Sequence, residues 1–129
     1  MSIKYVTEAA TGKAVGPYAH ATVAQGFVFV SGQAGVAPDG TLAHDLEGQT
    51  RQTLANVAAV LTAAGSSLRQ VVRTNVYLSD IRNFERMNAV YREVFGATVP
   101  ARTTVEVAAL PLPGLLVEID VIAVAGDPA

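Results

Sequence analysis

The stretch Val117-Glu118-Ile119-Asp120-Val121-Ile122-Ala123-Val124 decides the fold class, because apolar and charged side chains alternate along its first half. Successive side chains of a β-strand point to opposite faces of the sheet. Val117 and Ile119 therefore share one face, and Glu118 and Asp120 share the other. The stretch predicts a sheet with one aliphatic face, which helices would cover.

Two segments with helical periodicity can supply that cover. Asp45 is a good N-cap for a helix through Ala64, and Gly65 can end it in the left-handed region. Asn83 can cap a second helix that runs through Phe95. The apolar stripe of the first helix follows the helical period and consists of Leu46, Leu54, Val57, Ala58, Leu61 and Ala64.

Five further strands are expected around these helices. Ile3 to Val6 predicts a short strand, and Thr22 to Ser31 predicts two strands that turn near Gln25-Gly26. Val71 to Leu78 and Thr103 to Val107 predict two more, whereas Gly32 to Gly40 is expected to be a loop. The order of strands, helix, strand, helix, strands predicts an α+β domain over residues 1–129, with both helices on one face of the sheet.

Composition limits the classes of partner. The 129 residues are 50% hydrophobic and only 16% charged, and the mean hydropathy is +0.34. This is apolar for a small soluble monomer and indicates surface buried between subunits. The formal charge of −2 provides no basic surface for a phosphate backbone, so no nucleic-acid partner is expected.

The residue types also limit location and chemistry. The absence of cysteine excludes disulfides and thiolate catalysis. The first residues lack the apolar core of a signal peptide, and the apolar stretch Leu110 to Ala125 is interrupted by prolines and carboxylates. We therefore expect a cytoplasmic protein with no membrane partner. The two histidines are far apart in sequence, so no metal site is expected.

Arg102 is the first candidate functional residue. It lies at the start of a predicted strand, after Pro100, and a guanidinium can bind a carboxylate through two parallel hydrogen bonds. Alternation places Arg102 and Thr104 opposite Val105, and so predicts them on the same polar face as Glu118. That face is either the solvated side of a two-layer sheet or a surface closed by other subunits. Arg102 itself could equally be solvated or paired with a neighbouring carboxylate.

Five short motifs occur in a distinctive order: Gly16-Pro17-Tyr18, Val30-Ser31-Gly32-Gln33, Asn88 between Met87 and Tyr91, Pro100-Ala101-Arg102, and Val117-Glu118-Ile119-Asp120. Through them the chain resembles the RidA (YjgF-type) family of enamine/imine deaminases, from about Tyr5 to Val124. The resemblance implies a single six-stranded mixed sheet with two helices packed on one face, similar to bacterial chorismate mutase. It also implies a homotrimer with active sites between subunits.

The resemblance also implies a reaction. Substrates would be 2-aminoacrylate and its tautomer 2-iminopropanoate, or related 2-imino acids, hydrolysed to 2-keto acids and ammonia. Arg102 would hold the substrate carboxylate, and Glu118 would activate water and move protons. The resemblance implies that no cofactor or metal is needed.

The remaining implied substrate-binding residues are Tyr18, Ser31, Gly32, Asn88 and Thr104. Taken alone, each fits an ordinary structural role. Thr104 stands where many members of the family carry cysteine, and His20 stands where glutamine or a small residue is more usual.

Three alternatives stay open at the level of sequence. The same cleft could bind a 2-keto acid or another small metabolite for regulation, without turnover. Endoribonuclease activity or inhibition of translation also occurs in the family, although the acidic composition argues against it here. A larger imine is a further alternative, because the sequence does not give the size of the pocket.

Overall fold

A computed structural model, which describes residues 2–126, places the chain in one six-stranded sheet, one two-stranded hairpin and two helices. In chain order the elements are β1 (Lys4–Val6), β2 (Glu8–Ala9), β3 (Gly12–Lys13), β4 (Ala21–Ala24), β5 (Phe27–Ala34), α1 (Leu46–Ala63), β6 (Val71–Leu78), α2 (Phe84–Phe95), β7 (Ala101–Glu106) and β8 (Val117–Val124). The large sheet has the order β1-β4-β5-β8-β6-β7. Only β6 and β7 are parallel, so the sheet is mixed.

The predicted α+β architecture is confirmed: one six-stranded mixed sheet carries both helices on one face. Two local predictions were wrong. The β2–β3 hairpin was missed, because two residue pairs are too few to produce a recognisable alternation. The loop predicted from Gly32 begins later, because β5 continues through Ala34 after a shift in register between Val30 and Gln33.

The first helix begins and ends where its capping residues predict. The Asp45 carboxylate accepts a hydrogen bond from the Gly48 amide at 3.2 Å, and Gly65 has a φ of +79°. Asn83 precedes α2 as expected, but its side chain makes no capping hydrogen bond. Among residues 2–126, no helix is long and apolar enough to cross a membrane.

The aliphatic face of β8 lies against the helices, as its alternation predicts. Ile119 is completely buried, and so are Val28 of β5, Val76 of β6, Leu54 of α1 and Met87 of α2. The helices therefore cover one face of the sheet. Glu118 and Asp120 are directed to the other, which is called the open face below.

Two buried amides connect α1 to the strand ends. Gln49 donates to the carbonyls of Ala43 and Gly114, both at 2.9 Å, and its Oε1 accepts from the Leu116 amide at 2.8 Å. Asn56 donates to the carbonyls of Ala34 and Val36 at 2.8 and 2.9 Å. These bonds fix the end of β5 and the segment before β8. Both segments line the larger of the two cavities that are described below.

The Gln49→Leu variant should lose about 2–5 kcal/mol of unfolding free energy, because three backbone groups would lose their hydrogen-bond partner. Urea denaturation measures the loss. The control is Gln52→Leu on the same helix, where only one side-chain hydrogen bond, to Asn56, is removed. Equal losses in both variants would contradict the role of Gln49.

Candidate active site

The predicted site residues lie on two different faces of the sheet. Arg102 pairs in register with Thr74, whose hydroxyl is 2.8 Å from the Tyr91 hydroxyl of α2, so Arg102 is on the helix side. Glu118 pairs with Tyr77 on the open face. The expectation that Arg102 and Thr104 share a face with Glu118 is wrong.

The error arises at an edge strand. Alternation predicts which residues of a strand lie together, but not which side of the sheet each set occupies. In β7 the parallel register with β6 places Val105 beside Tyr77 on the open face, where Val105 remains exposed. The polar set of β7, which includes Arg102, is consequently directed toward α2.

The site residues near Glu118 form a first cluster. They surround a cavity of about 650 Å³ that is lined in part by Tyr18, Ser31, Gly32 and Glu118. Gly32 has a specific reason to be glycine. A Cβ at this position would lie 3.0 Å from Cδ of Glu118 and closer still to its carboxylate oxygen. The bare backbone of Gly32 therefore makes room for the Glu118 carboxylate at the cavity wall.

The Glu118 carboxylate has unusual surroundings. Within the described part of the chain, no donor hydrogen-bonds to it. Burial raises the pKa of Glu118 above its usual value, and the charge of Asp120 raises it further. Such a carboxyl group can accept and release a proton closer to neutral pH than an exposed glutamate can.

Asp120 is held firmly beside Glu118 on the open face. It accepts a hydrogen bond from Tyr77 at 2.8 Å and one from Asn75 at 2.9 Å. The hydrogen bond to Asp120 and burial raise the pKa of Tyr77 to about 12. The Tyr77 hydroxyl therefore remains a donor at neutral pH. Asp120 was not predicted as a site residue, although its position two residues from Glu118 signals a shared face.

Ser31 and Tyr18 complete the cavity wall near Glu118. The Ser31 hydroxyl donates to the Ala19 carbonyl at 2.7 Å, so its oxygen lone pairs rather than its proton are available to a ligand. Tyr18 is about half exposed. Its ring lies close to Gly16, where a Cβ would be only 2.8 Å from the ring edge. Both residues therefore line the same cavity as Glu118.

The second cluster holds the Arg102 guanidinium at a cavity of about 280 Å³. Arg102 donates to the Asn88 side-chain oxygen at 2.6 Å. Its Cζ lies 4.7 Å from the ring centre of Tyr91 and 5.6 Å from that of Phe84. No carboxylate in residues 2–126 forms an ion pair with it. The guanidinium is therefore oriented by a neutral amide and two rings, and its charge remains available to an anion.

Asn88 and Thr104 belong to this second cluster. The Asn88 oxygen orients Arg102, which is a more specific role than the general substrate binding implied by the resemblance. Thr104 pairs with Val76 on the helix side of β7, and its hydroxyl oxygen is buried without a hydrogen-bond partner. Phe84 and Tyr91 were not among the predicted site residues. The helical spacing that places them beside Asn88 was the signal for their contact with the arginine.

The two clusters are separated within one chain. β6 lies between β7 and β8, so the strands of Arg102 and Glu118 are two spacings apart, about 10 Å. Their side chains also leave opposite faces. A three-carbon acid cannot contact both groups of the same chain. Among residues 2–126, no three His, Asp or Glu side chains are grouped to hold a metal ion.

The mixed sheet with two helices on one face, and polar clusters at the strand ends, defines a small RidA-like α+β domain. A family model described as "Endoribonuclease L-PSP" matches residues 7–125. A RutC family protein of Pyrococcus horikoshii is 46% identical over 113 residues, which cover 86% of this chain and 89% of that protein.

Two further relatives agree with this match. The chloroplastic Reactive Intermediate Deaminase A of Arabidopsis thaliana is 40% identical over 112 residues, 85% of this chain and 59% of that protein. A solved structure of a Rid family protein from Yersinia pestis has a TM-score of 0.89 and 41% identity, covering 96% of this chain and 100% of that one. The chain therefore belongs to the RidA family, which the L-PSP description also denotes.

A double-mutant cycle tests the contact between Gly32 and Glu118. Gly32→Ala should destabilise the wild type by about 1–3 kcal/mol, because the new methyl group displaces the carboxylate. In the Glu118→Ala background the same change should cost much less, because the displaced group is absent. Chemical denaturation of the four proteins measures the coupling, and equal costs in both backgrounds would disprove the contact.

Proposed function

We propose that the protein is an imine deaminase that hydrolyses 2-imino acids such as 2-iminopropanoate to 2-keto acids and ammonia. The single observation that supports this most strongly is the separation of two groups: a guanidinium that Asn88 holds and that has no ion-pair partner in residues 2–126, and a partly buried carboxylate that receives no hydrogen bond within the same residues. The first is suited to binding a carboxylate, and the second to moving protons. The name of the Arabidopsis relative, Reactive Intermediate Deaminase A, supports the same reaction class.

The separation of the clusters also supports an active site shared between copies of the chain. Arg102 of one copy would complete the cavity of Glu118 in a neighbouring copy. The open face favours such assembly, because Phe27, Phe29, Val105 and Val124 are all more than 40% exposed on it. A homotrimer, as implied by the resemblance, would bury this apolar surface and form three equivalent sites.

In the proposed mechanism, Arg102 binds the substrate carboxylate and presents the imine carbon to the larger cavity. Glu118 accepts a proton from water as the water oxygen bonds to the imine carbon. The π electrons of the C=N bond move to nitrogen, which gives a carbinolamine. Because the substrate reacts as its iminium, the carbinolamine nitrogen is neutral, and Glu118 donates to it the proton taken from water. The C–N bond then breaks and ammonia leaves, while the hydroxyl proton passes to Glu118 as the oxygen forms the C=O bond. Glu118 finally releases this proton to ammonia or to water and is again a carboxylate. Positioning is the main contribution of the protein, because an iminium is already electrophilic.

We place the reaction in the cytoplasm, as expected from the sequence, although the Arabidopsis relative is named as chloroplastic.

RNA cleavage, which the family description names, is disfavoured by the formal charge of −2. A regulatory protein that binds a 2-keto acid would use the same two clusters but would not turn over an imine.

Loss of the arginine should abolish the carboxylate contact. Arg102→Ala should lower kcat/KM for 2-iminopropanoate, generated by an amino-acid oxidase, by about 10²- to 10⁴-fold, because two charge-assisted hydrogen bonds are lost. Ammonia release measures the rate. Arg69→Ala, at an exposed position, is the control and should match the wild type. Full activity of Arg102→Ala would refute the clamp, and a wild-type protein without turnover that still binds pyruvate would favour the regulatory alternative.

Mixing inactive chains tests whether the site is shared. Arg102→Ala and Glu118→Gln chains, denatured together and refolded at equal ratio, should regain about one quarter of the wild-type activity, because one interface in four combines both intact residues. Each variant refolded alone should remain inactive. If the mixture is no more active than its separate components, the two residues do not act across an interface.

The pH profile tests the proton role of Glu118. The rate should decrease toward acidic pH, and the decrease should begin at a higher pH than for an ordinary glutamate. The reason is that a base with a raised pKa, such as Glu118, becomes protonated at a higher pH. Asp120→Asn should move this limb to lower pH, because it removes the like charge and keeps an acceptor for Tyr77. A pH series of kcat/KM measures the shift. A profile unchanged by Asp120→Asn would contradict the electrostatic coupling.

A further inference from the structure

Three buried side-chain polar atoms in residues 2–126 have no hydrogen-bond partner: Thr104 Oγ1, Thr11 Oγ1 and His20 Nδ1. Folded proteins pair nearly all such atoms, so each exception requires an explanation. Thr104 belongs to the cluster of Arg102. Thr11 and His20 line the larger cavity together with Glu118. All three unpaired atoms therefore belong to residues of the two halves of the candidate site.

The bonding of His20 defines what its free nitrogen can accept. The residue is only 6% exposed, and its Nε2 lies 2.8 Å from the Gly12 carbonyl oxygen. A carbonyl oxygen only accepts, so Nε2 must carry the proton of this bond. In the neutral ring, Nδ1 is then an acceptor without a donor. The neighbouring Thr11 hydroxyl can donate or accept.

His20 lies beside the strand against which Glu118 packs. The Ser31 amide donates to the His20 carbonyl at 2.9 Å, so His20 lies directly beside β5, and the Glu118 carboxylate packs over Gly32 of the same strand. The backbones of His20, just before β4, and of Glu118 in β8 are therefore two strand spacings apart, about 10 Å. The methyl group of 2-iminopropanoate is too short to span this distance, whereas the cavity of about 650 Å³ has space for a longer side chain.

We infer that Thr11 and His20 form a polar subsite for a hydroxyl group at the end of the substrate side chain. The inference rests on the proposed function, because it assigns the side-chain end of the same imino acid. The hydroxyl would donate to His20 Nδ1 and exchange a second hydrogen bond with Thr11. The preferred substrates are then 2-imino acids with an extended side chain that ends in a hydrogen-bond donor.

Matched substrate pairs test the subsite. The imines of tyrosine and phenylalanine differ by one hydroxyl, as do those of 6-hydroxynorleucine and norleucine, and an amino-acid oxidase can generate all four. In at least one pair, kcat/KM should be about tenfold or more higher for the hydroxylated imine. A substrate without the hydroxyl group leaves the buried polar groups of the subsite unpaired. A preference below about twofold in both pairs would overturn the inference.

Substitutions of Thr11 and His20 test whether these residues cause the preference for hydroxylated imines. Thr11→Val should reduce it about threefold or more, because one hydrogen bond is lost, and His20→Phe should remove it. Thr11→Val makes the test decisive even if His20→Phe does not fold, because the hydroxyl of Thr11 has no protein partner to lose. Thr62→Val, an exposed position on α1, is the control and should keep the preference. A preference that persists in Thr11→Val would contradict the assignment.

Failure of the proposed function has a different signature. If 2-iminopropanoate is hydrolysed without a preference for hydroxyl groups, only the subsite is wrong. If no imine is hydrolysed, the reaction is wrong, and calorimetry still tests the subsite. In that case 4-hydroxyphenylpyruvate should bind about tenfold or more tightly than phenylpyruvate, and equal affinities would reject the subsite.

Discussion

The alternation of side chains along β8 is the constraint on which the rest of the structure depends. The strand is central, with β5 on one side and β6 on the other. Its aliphatic residues belong to one buried core with residues of both helices. The same alternation directs Glu118 and Asp120 to the opposite face, where no helix within residues 2–126 covers them. The hydrophobic core and the position of the candidate base therefore have one cause.

The fold was predictable from sequence wherever a segment carried its own signal. β6 and β8 have the predicted bounds, and Asp45 caps α1 as its residue type indicates. The site was less predictable, because it depends on register between segments. The face of Arg102 is determined by pairing with Thr74, a contact that alternation within β7 does not encode. The motifs identified the candidate residues, but only the strand pairing revealed that they form two clusters.

The electrostatics of the two clusters follow from what surrounds each charge. Arg102 lies between an amide oxygen and two aromatic rings, which orient a cation without neutralising it. Burial against the bare backbone of Gly32 raises the pKa of Glu118, and the charge of Asp120 raises it further. Neither charge has an ion-pair partner within residues 2–126, so each is available to a ligand or neighbour of opposite charge. The features that suit each cluster to its proposed role therefore also leave its charge uncompensated within these residues.

The proposal that two chains share the site follows from the same geometry. A side chain can move within its rotamers, but it cannot cross the sheet that separates Arg102 from Glu118. Flexibility within one subunit therefore cannot bring the guanidinium and the carboxylate to the same three-carbon acid. Contact between copies can do so, and the exposed apolar residues of the open face, including Phe27 and Phe29, favour that contact. Assembly and catalysis would then depend on one another, because the interface that buries the apolar surface also joins the two halves of the site.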